Sequence, residues 1–160
     1  LPKIGVTGHM NLSPRTVELV REALHEALAP HASAELVGVS CIARGADSIF
    51  AEVLLDLGGR LEVILPASDY REKKVKPEHA DCFDALIRRA SSVRIMPYET
   101  SSRHAYQAAN NALIDVSDRL IAIWDGASAV DKGGTAAVVH DATSRGLPVD
   151  IIWPEGAERC

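Results

Sequence analysis

The sequence predicts an α/β protein, a Rossmann-like three-layer sandwich with a mostly parallel six-stranded sheet. Three observations carry this. Short apolar runs alternate with segments of helical spacing along the whole chain. Each pair of neighbouring runs is separated by enough residues for a helical crossover, which parallel strands require. Several runs also exit into loops bearing glycine, proline or aspartate. Right-handed crossovers and short connections then leave few layouts other than a doubly wound one.

Lys3 to Thr7 reads as the first strand, with Gly8 to Asn11 as its exit loop. Ser13 is placed to cap a helix that has Pro14 at its first position. Val17, Val20, Leu24, Ala27 and Leu28 follow helical spacing, and the helix ends by Pro30. Glu35 to Ser40 is the second strand. Ala43 to Asp47 turns into a second helix whose buried stripe is Ala46, Ile49, Phe50, Val53, Leu54 and Leu57. Gly58-Gly59 stops it in the left-handed manner. Leu61 to Leu65 is the third strand, and Pro66 ends it.

Ala67 to His79 is the most polar piece and holds Arg71, Lys73, Lys74 and Lys76. It reads either as a solvated loop or as a flap whose cations meet an anionic ligand. Pro77 starts the next helix, with Ala80, Phe83, Leu86, Ile87 and Ala90 inward. Ser92 to Met96 is the fourth strand, and Pro97 to His104 a second polar loop. The helix from Ala105 to about Val116 has one stripe of Ala105, Ala108, Ala109, Ala112, Leu113 and Val116. Leu120 to Trp124 is the fifth strand. The last helix begins near Thr135 and closes at Gly146, with Arg145 in its last turn. Pro148 to Trp153 is the sixth strand, and Pro154 to Cys160 is a tail. The expectation is six strands and five helices in one domain spanning residues 1–160.

Composition narrows the function classes. Of 160 residues, 47% are hydrophobic and 24% charged, as in an ordinary globule. The formal charge of -5 gives no bulk attraction to nucleic acid or an anionic membrane, although a local basic patch stays open. No apolar run reaches the roughly 18 residues of a membrane span, and no leader pattern precedes the first strand, so a cytoplasmic protein is expected. Cys41, Cys82 and Cys160 are odd in number and widely spaced, against a disulfide framework or a cysteine-rich metal site. No H-E-x-x-H spacing occurs, and neither a metal nor a cofactor is expected.

In a parallel sheet the strand exits share one edge, where ligands bind. Four exits therefore meet: Gly8-His9; Arg44-Gly45-Ala46-Asp47; Pro66 with Asp69-Tyr70; and Asp125-Gly126 with Gly133-Gly134-Thr135. The glycine pair before a helix start suits close backbone approach to a phosphate, with Thr135 as cap and hydroxyl donor. The plain alternative is a tight turn with a cap. Gly8 can serve close approach in the same way. Asp125 either accepts from a sugar hydroxyl or caps its own loop as an Asx-turn. Asp47 is placed to cap or charge-pair at the start of the second helix, and Arg44 to neutralise an anion. His9 is a base or phosphate donor near pH 7. His104 and Tyr106 can line the same cleft, whereas His25, His31 and His79 look like surface residues. Asp118 precedes its strand, at the opposite edge, and reads as structural. G-x-G-x-x-G, the phosphate loop of nucleotide hydrolases and G-x-S-x-G are all absent. The candidate catalytic residues are Asp125, Asp47 and His9; the candidate ligand contacts are Gly8, His9, Arg44, Gly45, Asp125, Gly126, Gly133, Gly134 and Thr135.

Ser40-Cys41-Ile42-Ala43-Arg44-Gly45-Ala46-Asp47, followed by Gly58-Gly59, resembles DNA-processing protein A. Thr7-Gly8-His9, Trp124-Asp125-Gly126 and Gly133-Gly134-Thr135 resemble small bacterial relatives of unassigned function. Order and spacing are similar over nearly the full chain to the Rossmann-like SLOG superfamily, which joins DNA-processing protein A to the "lonely guy" phosphoribohydrolases. The resemblance implies a nucleotide or phosphorylated-sugar ligand over the glycine turn, N-glycosidic chemistry and a homo-oligomer. The phosphoribohydrolases carry a catalytic glutamate three residues after the threonine; here that position is Val138. Met10 stands where similar small proteins have an arginine. The DNA-processing likeness implies single-stranded DNA, against which stand the negative charge and an aromatic content of 4%. The expectation is binding of a nucleotide-derived phosphorylated ligand, with N-glycosidic cleavage or transfer and single-stranded DNA binding as alternatives.

Overall fold

Each apolar run becomes a strand: β1 Lys3–Gly8, β2 Val37–Ser40, β3 Arg60–Leu65, β4 Ser92–Ile95, β5 Arg119–Ile123 and β6 Val149–Ile152. The helices are α1 Pro14–Leu28, α2 Ala46–Asp56, α3 Tyr70–Lys73, α4 Pro77–Arg89, α5 Arg103–Val116 and α6 Thr135–Ser144. These come from a computed structural model that describes residues 2–127 and 134–160.

Local chemistry explains most boundaries. Ser13 accepts the Thr16 N–H and Pro14 opens α1, as the sequence predicts. Ser102 caps α5 by accepting the Ala105 N–H, so this helix starts two residues before the expected Ala105. Gly58 has φ 84° just past α2, the left-handed stop. β2 starts at Val37 rather than Glu35, because Ser33 ties down the Glu35 and Leu36 N–H groups in a turn. α3 is an addition to the expected five helices. At four residues it is too short for periodicity to reveal.

The six strands form one parallel sheet in the order β4-β3-β2-β1-β5-β6. Val20, Leu24 and Leu28 of α1, the α2 stripe, and Phe83 and Leu86 of α4 share one core with Val6, Leu61 and Val63. On the other face, Ala109, Ala112 and Leu113 of α5 and Val138 and Ala142 of α6 pack with Val39, Ile64 and Leu120. Both faces are covered, so the central strands read as continuous apolar runs. From β1 the chain winds one way through β2 and β3 to β4; from β5 it winds the other way to β6. The order reverses between β1 and β5, and a crevice opens outside the carboxyl ends of strands at such a point. Asp118, at the opposite end of β5, accepts the Lys3 N–H at 2.8 Å and ties down the start of β1, the structural role expected of it. No helix among the described residues is long and apolar enough to cross a membrane.

Candidate functional site

A cleft of about 700 Å³ lies at the switch point. The exits of β1 and β5 line it through Gly8, His9 and Trp124; the β2–α2 connection supplies Cys41 and Ala43, and the first turn of α2 supplies Asp47. Tyr70 and Lys74 border it from the polar segment after β3, and Tyr106 and Asn110 from α5. Gly134, Thr135, Ala136 and Val138 close it from α6, and Arg159 enters from the segment after β6. Its size is that of ordinary small-molecule sites.

The β1 exit is built by close packing. The His9 N–H donates to the Ile123 carbonyl at 3.1 Å, and the His9 carbonyl accepts the Ala46 N–H, the first of α2, at 3.1 Å. Strand end and helix start are thus joined directly through one residue. A Cβ on Gly8 would stand 2.5 Å from the Ala46 Cβ and 2.7 Å from the Ile123 Cβ. One on Gly45 would stand 2.6 Å from the His9 carbonyl oxygen. Protein atoms therefore account for both missing side chains, although Gly8 still borders the cleft.

His9 is buried, with its ring edge-on to Trp153 at 5.6 Å. Burial first, and the Arg159 guanidinium second, lower its pKa against the opposing pull of Asp125. A neutral ring leaves Nε2 able to accept the Asp125 N–H, 3.2 Å away. The same nitrogen lies 3.2 Å from Asp125 Oδ1, a contact that strengthens when the ring is protonated. Asp125 Oδ1 also accepts the Ala127 N–H at 2.9 Å, which is the Asx-turn alternative. That backbone hydrogen bond is the chief reason the Asp125 pKa is lowered, with His9 and Arg159 adding to it. Asp125 contacts two cleft-lining residues, His9 and Arg159, without itself lining the cleft; Arg159 Nη1 lies 3.5 Å from Oδ2.

Asp47 faces the cleft from the first turn of α2. Burial raises its pKa to about 7, opposed by a hydrogen bond from the Ala43 backbone. Cys41 is half-buried beside it; burial, then the Asp47 charge, push this thiol far up. Burial also raises the Tyr70 phenol, with Tyr106, Asp47 and Cys41 contributing in that order. The rings of Tyr70 and Tyr106 meet edge-on at 6.3 Å. This end of the cleft is therefore aromatic, with the titrating Asp47 carboxyl and the Lys74 ammonium as its charged groups.

Of the remaining predicted site residues, Thr135 lines the cleft but does not cap α6. Gly134 occupies the cap position and Thr135 is the first helical residue. Among the described residues the first hydrogen bonds of the helix run from the Ala137 and Val138 N–H groups, and Thr135 and Ala136 set the N-terminal, positive end of α6 against the cleft. Gly133 lies outside the described residues. Arg44 and Gly126 are exposed and do not line the cleft. Of the four cations in the polar segment only Lys74 reaches it; Arg71 is held by Asp84 of α4 at 2.8 and 2.9 Å. Among the described residues no cluster with metal-ligand character occurs.

His79 corrects a sequence expectation. Far from standing free at the surface, its Nε2 lies 3.1 Å from the Ile42 carbonyl and 3.3 Å from Ser48 Oγ. Ile42 has φ 47°, a strained value for a β-branched residue. The carbonyl cannot donate, so Nε2 carries the proton and holds the turn that aims Cys41 and Ala43 into the cleft. His79→Ala is expected to lower unfolding free energy by about 1–3 kcal/mol, measured by urea denaturation. An unchanged midpoint would remove the staple role.

No family model matches this chain, and no curated protein matches it significantly. Solved structures do match. DNA processing protein A from Streptococcus pneumoniae superposes with a TM-score of 0.70 at 19% identity, over 98% of this chain and 52% of that one. The Helicobacter pylori DNA processing protein A, described with a single-stranded DNA binding mode, gives 0.71 at 18% identity, over 99% and 68%. The molybdenum cofactor carrier protein from Chlamydomonas reinhardtii gives 0.59 at 18% identity, over 94% and 75%. The chain thus spans about half the length of the Streptococcus protein. It has the Rossmann-like fold of DNA-processing protein A, as the resemblance read from the sequence implies.

Proposed function

We propose that the cleft binds a nucleotide, with the phosphate at the start of α6 and the base toward Tyr106. The observation that carries this reading is the contrast between the two ends of one cleft. One end has the positive terminus of α6, with Thr135, His9 and Arg159. The other has the Tyr70–Tyr106 pair, Asn110 and Asp47, whose carboxyl burial leaves partly protonated near neutral pH, with Lys74 at its border. An anion suits the first end, and a flat heteroaromatic ring suits the second. Val138 presents an apolar wall where a glycosidase of the implied kind has its glutamate, so binding is the primary role.

Single-stranded DNA is the second reading. It is favoured over a free nucleotide by the fold shared with two DNA processing proteins, one of them described with a single-stranded DNA binding mode. Under it the cleft holds one nucleotide of a longer strand. The formal charge of -5 then requires a local positive path, and affinity should fall steeply with salt.

The test is thermal stability against nucleoside monophosphates, cyclic dinucleotides, ribose 5-phosphate and a short oligonucleotide. A ligand selective for the folded state raises the midpoint with its occupancy. The Gly134→Val variant, which puts a branched side chain at the phosphate end, is expected to lose the shift given by the wild type. A retained shift would move the phosphate elsewhere. Recovery of intact ligand supports binding, and release of free base would add an N-glycosidic step with Asp47 as the available acid.

A further inference from the structure

The segment after β6 is not a loose tail. Arg159 pairs with Leu12 in an antiparallel bridge. The Cys160 N–H donates to the Asn11 carbonyl at 2.9 Å, and Asn11 Nδ2 donates to the Cys160 carbonyl at 3.0 Å. Two residues earlier, the Thr16 hydroxyl, fully buried, accepts the Glu158 N–H at 2.8 Å and donates to the Glu158 carbonyl at 2.9 Å. The Ser13 N–H reaches the same carbonyl at 3.3 Å. These bonds clasp the segment to the β1–α1 connection on both sides of Arg159.

The clasp delivers one charged side chain to the cleft. Arg159 borders it, while its Nε lies 3.4 Å from Asn11 Oδ1 and its Nη1 3.5 Å from Asp125 Oδ2. Its charge is felt at the cleft wall, where it is the second cause holding His9 neutral. Arg44, the arginine the sequence points to, is exposed and does not line the cleft. Lys74 is the other cation on the cleft wall among the described residues, borne on the flap segment rather than on the sheet edge.

We infer that Arg159 is the phosphate-binding cation of the cleft, carried there by the clasp between the segment after β6 and the β1–α1 connection. The inference rests on the nucleotide reading and names the residue that recognises the anion. A guanidinium presents several N–H donors in one plane and can take two phosphate oxygens at once. The contact to Asp125 is long and half-exposed, so a phosphate can displace it at small cost. Asp125 is then a positioning residue: it holds the guanidinium over the mouth until an anion arrives.

The experiment is calorimetric titration of wild type, Arg159→Met and Thr16→Val with the five common nucleoside 5′-monophosphates, their unphosphorylated nucleosides and inorganic pyrophosphate. Methionine keeps an apolar stem and removes the charge. Arg159→Met is expected to weaken the monophosphate by at least 10-fold and to leave the nucleoside unchanged. Thr16→Val removes the two Thr16–Glu158 bonds of the clasp from outside the cleft and is expected to weaken the monophosphate in the same direction. Arg159→Lys is expected to recover part of the affinity, which a role in packing alone would not produce. If wild type binds a monophosphate and Arg159→Met binds it equally, the inference is overturned while the nucleotide reading stands. If wild type binds neither a monophosphate nor pyrophosphate, both fall.

Discussion

Gly45→Ala is expected to destabilise the fold by about 3–5 kcal/mol, the sum of two independent costs. Gly45 has φ 81° and ψ -132°, a conformation that only glycine adopts without strain. Its added Cβ would also meet two backbone oxygens, that of His9 at 2.6 Å and that of Met10 at 2.7 Å. Backbone atoms inside a strand exit cannot swing aside as a side chain end can. For a chain of this length the midpoint should fall by about 10 °C or more. Gly126→Ala supplies the comparison. Its φ is 83°, but among the described residues nothing lies within 4 Å of the new Cβ, so the conformational cost of about 1 kcal/mol is the one expected. Equal losses in the two variants, measured by thermal unfolding, would show that the packing of α2 against His9 is not tight. Because that packing also sets the position of His9, the Gly45 variant should lose ligand binding at temperatures where it is still folded.

Asp47→Asn should act in the opposite direction, and the effect should depend on pH. In the unfolded chain Asp47 titrates near 3.8, and in the folded chain burial moves it to about 7. Between those values the folded state holds a proton that the unfolded state has released. The stability contributed by this group is therefore highest below about pH 4, falls as pH rises toward 7, and levels off above it. A shift of about three units corresponds to about 4 kcal/mol at most; partial solvent access at the cleft reduces this to about 2–4 kcal/mol. Asparagine stays neutral and can still accept the Ala43 N–H. The variant should thus exceed wild type in stability by that amount at pH 8, with the gap closing as pH approaches 4. Urea unfolding of both proteins across this range checks it, and parallel pH profiles would sink the assignment. A residue retained at such a cost to stability is what a ligand-facing acid should look like. The same substitution is expected to weaken a base that accepts a hydrogen bond from the protonated carboxyl.

The alternation of apolar runs and helical stripes was enough to place six strands and five of the six helices, because both periods are local. The cleft was legible in part. Gly8, His9, Asp47, Gly134 and Thr135 were brought to one edge by the rule that parallel strands exit together, and all five border the cleft. His79 was misread because a histidine two residues after a helix-starting proline carries no mark of a carbonyl 37 residues away. Arg159 was missed for a similar reason. In Gly156-Ala157-Glu158-Arg159-Cys160 nothing is periodic, and its partner Asn11 is 148 residues distant.

What the sequence by itself determined is therefore the fold class, the order of elements and the chemistry available at the strand exits. Those depend on spacing within about a dozen residues, where side-chain periodicity and caps act. Only the tertiary structure decided the strand order, and with it the reversal between β1 and β5 that opens the cleft. It also decided that the missing side chains of Gly8 and Gly45 are accounted for by packing. It turned Asp125 toward His9 and its own loop, and it brought Arg159 to the mouth in place of Arg44. Each of these rests on contacts between elements far apart in the chain, whose pairing depends on how whole surfaces fit and not on any local pattern.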